Sequence, residues 1–165
     1  MDPTLSMDIQ QTLNSDIAMI LDSLIDINKE YDEQLNAIQT TKNWALKARE
    51  HHSNSNQSLF GIVQGGKHKE LREKSATDML SLDFNGYAIG GLAIGETQQE
   101  RKEIVDFTVE MLPQDKLRYV MGLGDIEGML DLIELGVDIF DCVWPARLAR
   151  PVSYTHLTLP TKRIV

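Results

Sequence analysis

The sequence predicts an α/β fold with a parallel sheet, arranged as part of a (β/α)8 TIM barrel. Two observations predict it. A helical stretch followed by a short apolar run recurs along the chain, which is the rhythm of βα units. Each apolar run also ends in a polar residue or a glycine, where a parallel barrel opens its ligand crevice. Five such runs cannot close an eight-stranded barrel, so the expectation is about five βα units of an incomplete one.

Each element has its own signal. Leu5, Ile9 and Leu13 mark a first helical face, and Asp16 to Leu21 is the first strand, ending at Asp22. From Asn28 to about His52, Tyr31, Leu35, Ile38 and Ala45 keep helical spacing. SNSNQS (residues 53–58) is a polar turn before the second strand, Leu59 to Val63, which runs into Gln64-Gly65-Gly66. A basic helix with Leu71, Met79 and Leu80 as apolar positions leads to the third strand, Tyr87 to Ile89, and then Gly90-Gly91. Thr97 and Glu100 form a capping box, and Ile104, Phe107 and Met111 continue that helix until Pro113. Leu117 to Val120 is the fourth strand, ending at Met121-Gly122. Asp125 caps a short helix with Ile126, Met129, Leu130 and Ile133 expected inward, closed by Gly136. The fifth strand, Val137 to Val143, is apolar apart from two aspartates and one cysteine, which suits a strand covered on both faces. Asp141 stands near its C-terminal end. Pro145 stops the pairing, and Arg147 and Arg150 follow at i, i+3 spacing.

Composition narrows the class. Hydrophobic residues make up 42% and charged residues 25%, as in a soluble globular protein. No apolar run reaches the ~18 residues that span a membrane, so no membrane partner is expected. The single cysteine, Cys142, excludes an internal disulfide framework and a multi-cysteine zinc site, and fits a reducing cytoplasm. No metal ligands are assigned within the chain. A net charge of −9 argues, taken alone, against nucleic-acid binding.

The strand ends carry Asp22, Gln64, Gly90-Gly91, Met121-Gly122 and Asp141, and a barrel gathers such ends at one rim. Two carboxylates, an amide and glycine N–H groups suit a planar, hydrogen-bonding ligand. Guanine is one: its N1–H and N2–H can be accepted together by a carboxylate, while O6 and N7 accept from an amide or backbone N–H. Met121 could pack on the ring face. Each residue has a structural alternative. Asp22 could cap a helix, Gln64 could be merely exposed, the glycines could serve turns, and Met121 could be core.

Four linked motifs, GIVQGG (61–66), GYAIGGLAIGE (86–96), RYVMGLG (118–124) and DIFDCVWPARLAR (138–150), resemble the queuine tRNA-ribosyltransferases, or tRNA-guanine transglycosylases, in their bacterial form. SMDIQQTLNSDIAMILD (6–22) is similar to the segment preceding them in that family. The resemblance implies a TIM-barrel segment from the C-terminal part of the barrel, spanning residues 1–150. It implies exchange of guanine at wobble position 34 of tRNA for a 7-deazaguanine, the queuosine precursor preQ1. It makes Asp141 the nucleophile that forms a covalent ribosyl-aspartate intermediate. The rival Asp138 lies near the start of the strand, away from the rim, and is read as structural. Asp22, Gln64 and Gly91 match base-binding positions, and Leu92 and Met121 match neighbouring pocket positions. Gly122, Leu123, Gly124, Asp125, Ile126, Glu127 and Gly128, with Ala146, Arg147, Leu148, Ala149 and Arg150, match segments that contact RNA.

The same resemblance implies tRNA, through its anticodon loop, and guanine and 7-deazaguanine bases as partners. It also implies a homodimer and a structural zinc in the full-length parent, with no cofactor inside this chain. The family's second catalytic aspartate, an aromatic that stacks on the base, and the zinc ligands belong to segments outside these residues, so this stretch alone is expected to be inactive. Leu24 stands where many members have a pocket cysteine, Asp125 where many have a lysine, and Ala146 where threonine is frequent. A non-catalytic tRNA-binding relative and an unrelated carboxylate barrel remain as rival readings. Residues 151–165 (PVSYTHLTLPTKRIV) depart from the pattern and resemble translated sequencing-adapter read-through. They are expected to be a non-native tail, the alternative being a divergent C-terminus.

Overall fold

The computed structural model describes residues 2–92 and 94–149. Arg150 and the tail assigned to 151–165 lie outside the described residues. The elements run α1 (Pro3–Leu13), β1 (Ile17–Met19), α2 (Tyr31–His51), β2 (Ser58–Val63), α3 (Lys69–Leu80), β3 (Gly86–Ile89), α4 (Gln98–Met111), β4 (Leu117–Val120), α5 (Ile126–Glu134), β5 (Ile139–Phe140) and α6 (Trp144–Ala149). The five strands pair in sequence order, all parallel, in one curled sheet with alternating helices, a partial βα barrel. No helix among the described residues is long and apolar enough to cross a membrane.

The register positions the site. Ile62 pairs with Ala88, Ala88 with Tyr119, and Tyr119 with Ile139, so these four share one level and one face. Two residues further along each strand, on that same face, come Gln64, Gly90, Met121 and Asp141. The centre of the sheet is dense: Leu59, Phe60, Ile62, Val63, Tyr87, Ala88 and Ile89 are all buried. Local signals hold where chemistry is specific. The Thr97–Glu100 capping box forms in both directions, and the Asp125 carboxylate accepts the Gly128 N–H at 2.8 Å.

Three expectations are corrected. Leu5, Ile9 and Leu13 are exposed; α1 docks through Pro3, Ser6 and Met7 instead. Its Gln10 amide bridges the Met19 backbone, accepting from N–H at 2.8 Å and donating to C=O at 2.9 Å. Apolar spacing shows that a stripe exists, but a polar side chain that satisfies an edge strand decides which stripe faces in. On α5, Ile126, Leu130 and Ile133 are exposed rather than inward, and the buried residues of the helix are Gly128 and Leu132. The fifth strand is two residues long and only half-buried, not covered on both faces. Among the described residues it has a neighbour on one side only, β4, so its second edge gains neither ladder bonds nor packing.

Candidate active site

One wall of the rim is built by the ends of β1, β2 and β3. Gln64 is buried, its backbone N–H donates to Ser75 Oγ on α3 at 3.0 Å, and its Nε2 donates to the Asp22 carboxylate. Burial pushes the Asp22 carboxyl above the usual carboxylate range, and the Gln64 bond opposes that shift. Gly90 and Gly91 lie against the Gln64 side chain so closely that a Cβ would meet it at 2.5 and 2.7 Å, and Gly91 also has φ +72°. Only glycine brings the β3 backbone this near the Gln64 amide.

The opposite wall belongs to β4 and β5. Asp141 Oδ1 accepts from the Tyr119 hydroxyl at 2.6 Å and from the Gly122 N–H at 2.9 Å. Burial, then the Asp141 bond and charge, push the Tyr119 hydroxyl well above the usual tyrosine range, so it remains a donor at neutral pH. Oδ1 takes both bonds, which leaves Oδ2 as the oxygen that neither of them occupies. Between the walls, Leu24, Gly91, Leu92, Ile94, Met121, Gly122 and Asp141 line a cavity of about 360 Å³, within the range of small-ligand sites. Asp138 sits elsewhere: its carboxylate accepts the Arg118 N–H at 2.8 Å, near the start of β4.

A second cavity, of about 370 Å³, adjoins the first through Gly122. Leu123, Gly124, Asp125 and Arg147 line it together with Glu96, Arg101 and Trp144. The buried Glu96 carboxylate accepts from Arg101 Nε at 3.0 Å and from the Ile94 N–H at 3.1 Å. The remaining RNA-assigned positions are not gathered there. Ile126, Glu127 and Gly128 form the first turn of α5, Gly128 is buried, and Ala146 is exposed on α6. Leu148 and Ala149 lie in the last turn of α6, and Arg150 falls outside the described residues.

The sequence reading missed Tyr119, Arg72 and Ser75. Tyr119 had a signal, since it precedes Met121 by two residues on a strand and so shares its face. Arg72 and Ser75 had none, because a charged and a small polar residue on a helix read as solvent-facing. Among the described residues no three His, Cys, Asp or Glu side chains are grouped so as to hold a metal ion, and the zinc that the resemblance implies is assigned to segments outside them.

Parallel βα barrels collect their reactive groups at this end of the sheet, and here that end holds Asp141 on the small cavity, with Asp22 bonded to the buried Gln64 and neither of these two among the residues that line it. The fold and these groups define a parallel βα-barrel segment with carboxylates at its rim. The model of the family described as Queuine tRNA-ribosyltransferase matches residues 1–158. Curated relatives with that name are 45% identical over 163 residues in Pelotomaculum thermopropionicum, covering 99% of this chain and 44% of the relative. In Thermotoga maritima the identity is 46% over 150 residues, 91% of this chain and 41% of the relative. In Bacillus subtilis it is 45% over 149 residues, 90% of this chain and 39% of the relative. The chain belongs to the queuine tRNA-ribosyltransferase family, and it spans about two-fifths of the length of these relatives.

Proposed function

We propose that the whole protein exchanges guanine at wobble position 34 of tRNA for a 7-deazaguanine base, preQ1, with Asp141 as nucleophile. Two observations support this reading: the family membership and the fixed Asp141 carboxylate facing the Gly91–Met121 cavity. An Asp141 oxygen forms a bond to C1′ of the ribose as the C1′–N9 bond breaks, and guanine leaves with that electron pair and gains a proton. N9 of the incoming base then attacks C1′ and gives up its N9–H proton, which balances the one guanine gained, while the ester C–O bond breaks and the carboxylate is regenerated. A carboxylate nucleophile divides one hard displacement into two through an oxocarbenium-like transition state. Tyr119 and the Gly122 N–H hold Oδ1, leaving Oδ2 for C1′. Asp22 accepts the base's N1–H and N2–H, while Gln64 and the Gly91 backbone serve its O6 and N7 edge. Leu92 and Met121 pack on the ring.

Residues 122–128 and 146–150 would meet the anticodon loop, with Arg147 and Arg150 on phosphates. A structural zinc and a homodimer in the whole protein, and a cytoplasmic location, belong to the same reading and rest on the family alone.

The test uses a complete enzyme in which residues 2–149 replace the matching segment of the Bacillus subtilis relative. Asp141→Asn should bind tRNA, fail to exchange labelled guanine, and give no covalent tRNA adduct on a denaturing gel. Asp138→Asn should keep the adduct if it folds. An adduct that survives in Asp141→Asn, or maps to Asp138, refutes the assignment.

A further inference from the structure

Helix α3 stands behind the base pocket and touches it with two side chains one turn apart, Arg72 and Ser75. Arg72 is 1% exposed, among the largest fully buried side chains of the molecule. Its Nε donates to the Gly66 carbonyl at 2.7 Å and its Nη2 to the Gly90 carbonyl at 3.2 Å. Those carbonyls lie just beyond β2 and β3, and Gly90 sits against the Gln64 amide. Ser75 Oγ takes the Gln64 N–H itself. Three anchors on one helix face therefore fix the segment that carries Gln64 and the one that carries Gly91.

This buried cation is incompletely satisfied. Nη1 has no hydrogen-bond partner among the described residues. Burial pulls the guanidinium down to about 10, and the nearby Glu96 charge pushes it back up, so it is still a cation at neutral pH. A buried charge with an unmatched donor is an inefficient way to gain stability, since a well-packed apolar side chain of similar volume often does as well. What the guanidinium does that an apolar side chain cannot is hold two backbone carbonyls on different strands at a set separation, because its donors form a rigid planar fork.

We propose that Arg72 is a positioning residue for the base: it ties the ends of β2 and β3 to α3 and so sets the spacing at which Gln64 and Gly91 meet the ligand's polar edge. The role rests on the base-pocket reading above. It touches no reacting atom, so its loss falls on base affinity rather than on the chemical step. Gly90 and Gly91 make the spacing critical, since their backbone already sits against the Gln64 amide and a small drift opens or closes that contact.

The chimera described above tests it through Arg72→Met and Arg72→Lys, with labelled guanine and saturating tRNA. Arg72→Met should raise the guanine KM about tenfold or more, the loss expected when charge-assisted hydrogen bonds are removed. Its kcat should stay within about threefold, a KM-weighted loss being the mark of an interaction made equally in ground and transition states. Arg72→Lys, which keeps the charge but reaches fewer carbonyls, should recover part of the loss. Independently of activity, amide exchange at Gly65, Gly66, Gly91 and Leu92 should quicken in Arg72→Met while β2 and β3 keep their protection. If the parent chimera exchanges no guanine, the proposed function fails, and the amide exchange still decides on the clamp. If Arg72→Met does not fold, Arg72→Lys decides by the same two readouts. An unchanged guanine KM with unchanged loop protection overturns the inference, and so does a parallel fall in kcat with protection lost across the whole sheet.

Discussion

Gln64, at the end of β2, is buried with its backbone and side chain both bonded inside the protein; Asp141, at the end of β5, is exposed and held by two hydrogen bonds. The strands behind them differ in the same sense. Phe60, Ile62, Ala88 and Ile89 are buried, whereas Ile139 and Phe140 are half-buried on a two-residue strand. The Gln64 wall is therefore a product of the core, and its geometry follows from close packing. The Asp141 wall is a product of polar contacts on a weakly packed strand, so its geometry can change without much effect on the fold.

The largest expected effect breaks the first wall. Phe60 is fully buried and its ring fills the space above Gly86, where a Cβ would collide with it. Phe60→Ala should destabilise by about 3–5 kcal/mol, the range for truncating a buried phenylalanine. Phe140→Ala, on the half-buried strand, should lose only about 1 kcal/mol. Urea unfolding of both variants reads the difference directly. Equal losses would mean that the two strands are packed alike and that the contrast is false.

The second prediction turns the contrast round. Tyr119→Phe removes one of two bonds to a carboxylate and little packing. A hydrogen bond to a charged group is worth about 1.5–3 kcal/mol, so guanine exchange in the chimera should slow about ten- to hundredfold. The urea midpoint should hardly move, since the site is exposed and α5, β4 and the core remain intact. A large loss of stability with unchanged exchange would show that Tyr119 is a packing residue and that Asp141 needs no support.

These two walls were unequally legible in the sequence. The glycine pairs, the amide and the carboxylates stood at strand ends, and strand periodicity alone carried them to one rim. β4 was bounded to the residue, because Pro113 and Met121-Gly122 bracket it. The fifth strand was overextended: an apolar run reports what the segment can bury, not whether a neighbour is there to bury it. The same reason explains Ile126, Leu130 and Ile133 on α5, a periodic stripe without a described partner. Arg72 was invisible, because nothing in a helical sequence distinguishes a guanidinium that reaches back to the sheet from one in water.

The last prediction sharpens the contrast at Asp22, the one site carboxylate that the packed wall partly buries. Burial is the leading cause of its raised pKa, and the Gln64 bond offsets only part of it. The folded state thus holds the Asp22 proton more tightly than the unfolded chain, whose aspartates titrate near 3.9. The stability contributed by the protonated group is complete below that value and is lost as pH rises through the folded pKa. Asparagine cannot ionise, and its carbonyl can still accept the Gln64 Nε2–H. Asp22→Asn should therefore gain stability relative to the parent as pH is raised from about 4 to 7, read as a growing separation of their urea midpoints. Parallel midpoints across that range would mean that the Asp22 carboxylate is as well solvated as a surface one. In the chimera the stabilised Asp22→Asn should bind guanine worse, because an amide offers one acceptor oxygen where the base presents two donors. A buried charge that weakens the fold and strengthens the ligand is what a recognition carboxylate requires, and the opposite signs of those two effects separate it from a structural aspartate.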